Sequence, residues 1–303
     1  MRYILLKQIL FFVFLIVVPD YGICQSATLT AKIIDQKTKQ PITGVIVLNL
    51  SNQKNATYTD DQGIFHLLVT KNDSLKIICV GYKDSVIKNS ESLNLSSIEL
   101  RPNFFLLDEV VIKSIYKGSS YSLGNTGKKD QYTAQGGTKG SVLLVFVPNV
   151  DSSKNKFITK LKYELMTIER KKNDYNRSEN EKINKGVVRV RLYSSNNTSI
   201  FPNSELLPEN IIRTIPLKYE ETLIVDISKY KINFPANGVF VGLEWLGEKN
   251  NSYEINLNPA FRIIKSKIDP FSFISFYGKE FNYCGRTLNL YHTPRFGIEV
   301  EEY

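Results

Sequence analysis

The strongest constraint on this chain is the spacing of its turn formers between residues 28 and 112. Asp35, Pro41, Gly44, Asp60, Asp61, Gly63 and Gly81 punctuate that stretch, and short apolar segments fill every interval. Segments of this kind, rich in Val, Ile, Thr and Phe and bounded by Gly, Pro and Asp, read as strands. The apolar repeat of an amphipathic helix is hard to find. Strands are expected over residues 28–35, 44–50, 56–59, 63–69, 74–80, 83–87 and 97–100. Asp60-Asp61-Gln62-Gly63 supplies the residues of a tight hairpin turn, with Gly63 free to take a positive φ. In Ile64-Phe65-His66-Leu67-Leu68-Val69 apolar residues nearly fill the strand, so both of its faces are expected to meet protein.

These residues also carry a resemblance. Thr30-Ala31-Lys32-Ile33-Ile34-Asp35 followed by Gln40-Pro41-Ile42-Thr43-Gly44-Val45 resembles the opening of the carboxypeptidase-like regulatory domain. Thr59-Asp60-Asp61-Gln62-Gly63-Ile64-Phe65 and Val80-Gly81-Tyr82 are similar to the mid-domain turns of that family. The resemblance implies a seven-stranded, transthyretin-like β-sandwich over residues 25–112. Leu107-Asp108-Glu109-Val110-Val111-Ile112 resembles the segment that follows this domain in exported Bacteroidetes proteins, notably outer-membrane TonB-dependent receptors. Those receptors continue into a plug and a many-stranded barrel, and the stretch after residue 112 lacks alternating lipid-facing segments with aromatic girdles. Any carry-over of nutrient uptake is therefore weak.

The first residues read as a leader. Arg2 and Lys7 precede the apolar run of residues 9–18, which Pro19 and Asp20 end, so residues 1–24 are expected to be a secretory signal peptide. Cleavage after Cys24 would leave Gln25 first. The rival reading is a lipidated Cys24, although Ile23 stands where a lipobox has a small residue. The apolar run is too short for a membrane span, and no later segment is apolar enough for one. An exported protein is expected, periplasmic, outer-membrane-associated or extracellular. Cys79 and Cys284 then remain, far apart in the chain, and are expected as separate thiols rather than a disulfide. The formal net charge is +9, with much of the excess between residues 154 and 191. For an exported protein, nucleic acid is a poor reading of that cluster. A solvated Lys-rich loop, or contact with anionic glycans or lipid headgroups, fits better.

Residues 113–140 shift to Ser, Gly, Asn, Thr and Lys and read as a linker or lead-in. A second antiparallel β-sandwich is expected over residues 141–303, with clear strands at 142–147, 157–167, 186–193, 221–227, 238–246 and 295–300. The insert 170–184, charged and Asn-rich, reads as an exposed hairpin tip. This region is similar to uncharacterised jelly-roll-like domains that follow the regulatory module in Bacteroidetes. Folds of that type often bind carbohydrate.

The residue inventory argues against catalysis. A carboxypeptidase-type zinc site needs His-x-x-Glu and a distant second His. The chain has two histidines, His66 and His292, with Val69 and Arg295 at the third place after each. His66, between Phe65 and Leu67, is expected as a satisfied sheet residue. No Gly-x-Ser-x-Gly elbow, phosphate loop or dinucleotide fingerprint occurs, and nothing marks Cys284 and His292 as an activated pair. Catalytic, metal and cofactor sites are all expected to be none.

Two carboxylates alone can hydrolyse a glycosidic bond, so Asp226 and Glu244 need weighing. On the 239–245 strand, alternation puts Val239, Val241, Leu243 and Trp245 on one face and Phe240, Gly242 and Glu244 on the other. Glu244 would then line a concave sheet surface, or pair with Arg189 or Arg191 across the strands. Trp245, the sole tryptophan, is expected in the core. Tyr277, Tyr283 and Tyr291 are the candidates for an exposed aromatic platform. The expectation is a non-catalytic binding or assembly module of the cell envelope, its partner an envelope protein or a glycan. A carbohydrate-binding protein acting through residues 141–303 is the alternative, and a carboxylate-based glycoside hydrolase a third.

Overall fold

The computed structural model describes residues 26–88, 96–103, 118–126, 133–166, 186–216, 219, 221–247, 257–267, 269–284 and 290–302. Residues 1–24, expected as a leader, the 107–112 segment and the 170–184 insert lie outside the described residues.

Seven strands build the first unit: β1 (Ala27–Asp35), β2 (Ile46–Asn49), β3 (Ala56–Tyr58), β4 (Ile64–Val69), β5 (Ser74–Ile78), β6 (Ser85–Lys88) and β7 (Ser97–Leu100). They form two sheets, β4-β1-β7 and β3-β2-β5-β6, with β1 antiparallel to β4 and parallel to β7. Ile33, Val45, Val47, Phe65, Leu67, Leu75 and Ile77 fill the space between the sheets. Burying each such side chain contributes about 1.5–3 kcal/mol. All seven expected strands are present within a few residues.

Two local expectations change. The Asp60–Gly63 turn exists, with the Asp60 carboxylate accepting from the Gln62 and Ile64 N–H groups at 2.8 and 3.0 Å. It joins β3 to β4, however, and those strands belong to different sheets, so it is a corner between sheets and not a hairpin. The β4 strand is also not covered on both faces. Phe65, Leu67 and Val69 are buried while His66 and Leu68 are exposed, because among the described residues nothing covers the outside of its three-stranded sheet at these positions. His66 Nδ1 is 2.8 Å from Thr30 Oγ1 on β1, consistent with a satisfied sheet residue.

Fifteen further strands and a single 3₁₀ turn (Ser228–Tyr230) complete the described fold: β8 (Ser120–Gly124), β9 (Thr133–Gly137), β10 (Ser141–Val147), β11 (Lys156–Met166), β12 (Gly186–Ser195), β13 (Pro202–Glu205), β14 (Ile211–Ile215), β15 (Thr222–Asp226), β16 (Ile232–Asn233), β17 (Val239–Trp245), β18 (Leu257–Ser266), β19 (Ser272–Phe276), β20 (Asn282–Tyr283), β21 (Tyr291–Pro294) and β22 (Phe296–Glu302). One sheet runs β13-β12-β17-β10-β19-β20, with β14 also on β12. The facing sheet runs β21-β18-β11-β22-β8, with β15 and β16 on β11 and β9 on β18. Inward side chains of both sheets, among them Val190, Leu192, Val241, Leu243 and Trp245 against Leu161, Tyr163, Phe261, Phe296 and Ile298, make the larger core. The chain is therefore all-β, two antiparallel-rich sandwiches in series. Among the described residues no helix is long and apolar enough to cross a membrane.

The Gly/Ser-rich stretch read as a linker contributes two of these strands. β8 pairs with β22, and β9 with β18. Its glycines serve close packing rather than looseness: a Cβ on Gly137 would stand 2.0 Å from the Trp245 ring.

The two units touch through the outer face of β3-β2-β5-β6 and the outer face of the β12-β17-β10-β19 sheet. Ile46, Tyr58 and Ile78 sit in one cross-strand row on the first, and Gly278 lies against Ile46 and Ile78. Gly81, with φ +83°, approaches so closely that a Cβ there would be 2.5 Å from the Pro208 carbonyl oxygen. Only glycine tolerates both the left-handed backbone and that contact.

Candidate functional site

Arg189 and Arg191 lie two residues apart on β12, so both point outward from the large core. The register sets Arg189 directly opposite Glu244 of β17 and Arg191 opposite Gly242. Arg189 grips the Glu244 carboxylate with two bonds, Nε to Oε2 and Nη2 to Oε1, each 2.8 Å. Arg191 Nη1 adds a third at 2.8 Å and sends its Nε to Glu205 Oε2 at 2.7 Å. Two cations and two carboxylates thus balance in charge. Arg191 also donates to the Tyr193 hydroxyl and stands 5.1 Å from that ring's centroid.

The first unit closes this cluster. The Tyr58 hydroxyl donates to Glu244 Oε1 at 2.7 Å, and Arg189 Nη1 donates to the Gly44 carbonyl at 2.7 Å. Arg189 Nη1 also reaches Asn210 Oδ1 at 3.1 Å, and the Asn210 amide turns to Cys79 Sγ at 3.0 Å. Tyr277 stacks on Tyr58, with centroids 5.2 Å apart, and Lys279 donates to the Gln53 carbonyl. Glu244 ends with no exposed surface. Burial pushes its pKa up, but Arg189, Arg191 and the Tyr58 hydroxyl outweigh this and hold it below the ordinary value. Burial, then the Glu244 charge, drive the Tyr58 phenol well above its usual range. Burial likewise pushes the Cys79 thiol up to about 11, so it stays protonated. Cys79 and Cys284 are both free.

The sequence-selected residues therefore fall in different settings. Glu244 lines no open surface: its oxygens are taken by Arg189, Arg191 and Tyr58, so the cross-strand pairing describes its place. Asp226 is exposed on β15, in the opposite sheet, where it accepts from the Ser228 N–H and hydroxyl at 2.9 and 2.6 Å. The two carboxylates are not brought together. Trp245 is in the core, with its Nε1 donating to the Pro259 carbonyl at 2.9 Å. Tyr277 is half-buried in the contact between units, where burial raises its pKa to about 12. Tyr291 is buried. Tyr283 alone of the three is exposed, at 46%.

Tyr283 belongs to a second feature of the same sheet face. Beyond the part covered by the first unit, Val142, Leu144, Tyr193, Phe240 and Phe273 form a separate aromatic-rich cluster. Phe201 and Tyr283 flank Phe273, with centroids 5.2 and 5.7 Å from it. The Tyr283 hydroxyl donates to Asp269, whose other carboxylate oxygen accepts from the Phe271 N–H at 2.7 Å. Burial, then the bonds to Asp269 and Tyr291, raise the pKa of the Tyr283 phenol. Phe201 and Asp269 carried no signal of their own in the sequence; loop and strand residues about 70 positions apart meet here through sheet order. On the first unit, Gln36, Lys37, Lys83, Arg101, Pro102 and Asn103 line a surface cleft of about 480 Å³.

Residues 29–112 match the family model described as CarboxypepD_reg-like domain, so the first unit is a domain of that kind. No curated protein matches the chain. Among solved structures, a chain from the T13 IBDV viral particle is similar at 8% identity and a TM-score of 0.28, over 91% of this chain and 53% of that one. The present chain thus spans about half of that one's length, and a likeness this distant carries no functional argument.

Proposed function

We propose that this chain is a non-catalytic, exported binding or assembly protein of the bacterial cell envelope. The observation that supports this most is the fastening of the CarboxypepD_reg-like domain to the sandwich through Glu244. A fully buried carboxylate held by three donor groups fixes two domains together and has no substrate to act on. The domain covers one half of a sheet face, and on the other half the Phe201 and Tyr283 rings stand exposed beside a buried aromatic cluster. A basic leader with an apolar run, expected at residues 1–24, would direct the protein out of the cytoplasm.

Cell fractionation followed by amine- and photo-crosslinking of the full chain tests the reading. Recovery in the envelope fraction, crosslinked to an envelope protein or glycan, is the expected result. Cytoplasmic recovery, or release of reducing sugar from a polysaccharide by the purified chain, overturns it. A second reading, carbohydrate binding through the second unit, is favoured by the exposed Tyr283 ring bonded to Asp269.

A further inference from the structure

We infer that the Phe201–Phe273–Tyr283 ledge is the ligand site, and that its ligand is an uncharged saccharide chain. The inference rests on the binding-module reading above and names the place and class of ligand. Phe201 keeps 39% and Tyr283 46% of their surface in water, while Phe273 between them is 4% exposed. A folded sandwich has no packing reason to hold two large rings out on either side of a buried third. Exposed apolar surface grouped this way, with polar atoms at its edge, marks binding.

The edge says which ligand. Asn196, Asn197, Thr198 and Asn237 are exposed around the loop that carries Phe201, and Asn282 is exposed beside Tyr283. The loop is held by its own bonds: Asn196 N–H to the Phe201 carbonyl at 2.9 Å, and Asn237 Nδ2 to Asn197 Oδ1 at 2.7 Å. The ledge is thus preformed, which lowers the ordering cost of binding. Amides offer both donors and acceptors without charge, and the Asp269 carboxylate retains acceptor positions beyond its two bonds. Ring faces for C–H surfaces, next to amides and a carboxylate for hydroxyls, match the two-sided chemistry of a pyranose. A charged ligand would find no ion-pairing partner among these named groups except Asp269.

Affinity electrophoresis of the full chain in gels containing starch, xylan, galactomannan, laminarin or hydroxyethylcellulose tests this. The wild type is expected to be retarded in at least one gel. Tyr283→Ala and Phe201→Ala are each expected to weaken that binding by about tenfold or more, as truncating an aromatic anchor does. Tyr283→Phe keeps the ring and should retain most of it, and Leu68→Ala, exposed on the first unit, should change nothing. Both ring positions are exposed, so unchanged far-ultraviolet circular dichroism is expected to accompany the loss. Retardation in none of the gels, or retardation indifferent to both ring substitutions, overturns the inference. If the gels are silent while the envelope crosslink persists in Tyr283→Ala, the ledge fails and the binding-module reading stands. If the crosslink is absent from the wild type too, both fail.

Discussion

The chain builds the same charge pattern twice and uses it for opposite ends. On β12, Arg189-x-Arg191 brackets Glu244 of β17; on β11, Lys160-x-Lys162 brackets Glu299 of β22. In each case the first cation is the direct cross-strand partner of the carboxylate and the second lies one diagonal step along. Burial separates them. The Arg189 and Glu244 side chains are 1% and 0% exposed, whereas Lys160 and Glu299 are 37% and 18% exposed. A domain covers the first triad, whereas the second stays partly exposed, chiefly at Lys160. Arginine suits the covered position because its planar fork holds a carboxylate with two bonds, while lysine at the wet one makes point contacts. The difference teaches that a charge pattern becomes architecture only when something covers it.

The comparison breaks most readily at Glu244. Glu244→Gln leaves Arg189 buried without its counter-charge and Arg191 with Glu205 alone, and a loss of about 3–5 kcal/mol is expected in a urea-melting series. A loss under about 1 kcal/mol would mean that the cover is looser than its bonds imply. Tyr58→Phe removes a single hydroxyl from the same carboxylate and should cost about 1.5–3 kcal/mol by the same measurement, since the lost bond is to a charged group. Because Tyr58 is the cover's own residue, that variant should also increase protease cleavage between the units.

Glu299→Gln is expected to cost less than Glu244→Gln in the same series and to be blunted by salt. Its clearer signature is in pH. The bonds from Lys160 and Lys162 hold the Glu299 carboxyl at about 2, below its ordinary 4.5. The folded state therefore favours the ionised form: this stabilisation is complete above about pH 4.5 and fades as pH falls toward 2. Carboxyl NMR titration should find Glu299 near 2 in the wild type and closer to 4.5 in Lys160→Ala/Lys162→Ala. An unshifted carboxyl in the wild type would remove the second triad from the comparison.

How much of this was legible in the sequence follows the range of the interactions. Turn chemistry is local, so Gly63 and Asp60 announced a turn and all seven strands of the first unit were placed. Strand alternation is also local, and it put Trp245 inward and Glu244 outward. What the corner joins is not local, which is why a turn read as a hairpin links two sheets. Glycine was ambiguous for the same reason. Gly137 looks like linker composition, yet it is glycine because an indole ring occupies its Cβ position. Tyr58 and Glu244 are 186 residues apart, and no pattern along the chain joins them. The ledge was half legible: Tyr283 was chosen, but its neighbours Tyr277 and Tyr291 were chosen equally, and burial separates the three.

One residue makes the molecule a spectroscopic instrument. Trp245 is the sole tryptophan, follows Glu244 directly, and lies on the core side of the strand whose other side carries the domain contact. Its fluorescence reports from a single position on the partition between the two sandwiches. A red shift in emission would mean that water has reached the larger core, while unchanged emission during proteolytic release of the first domain would show the second standing alone.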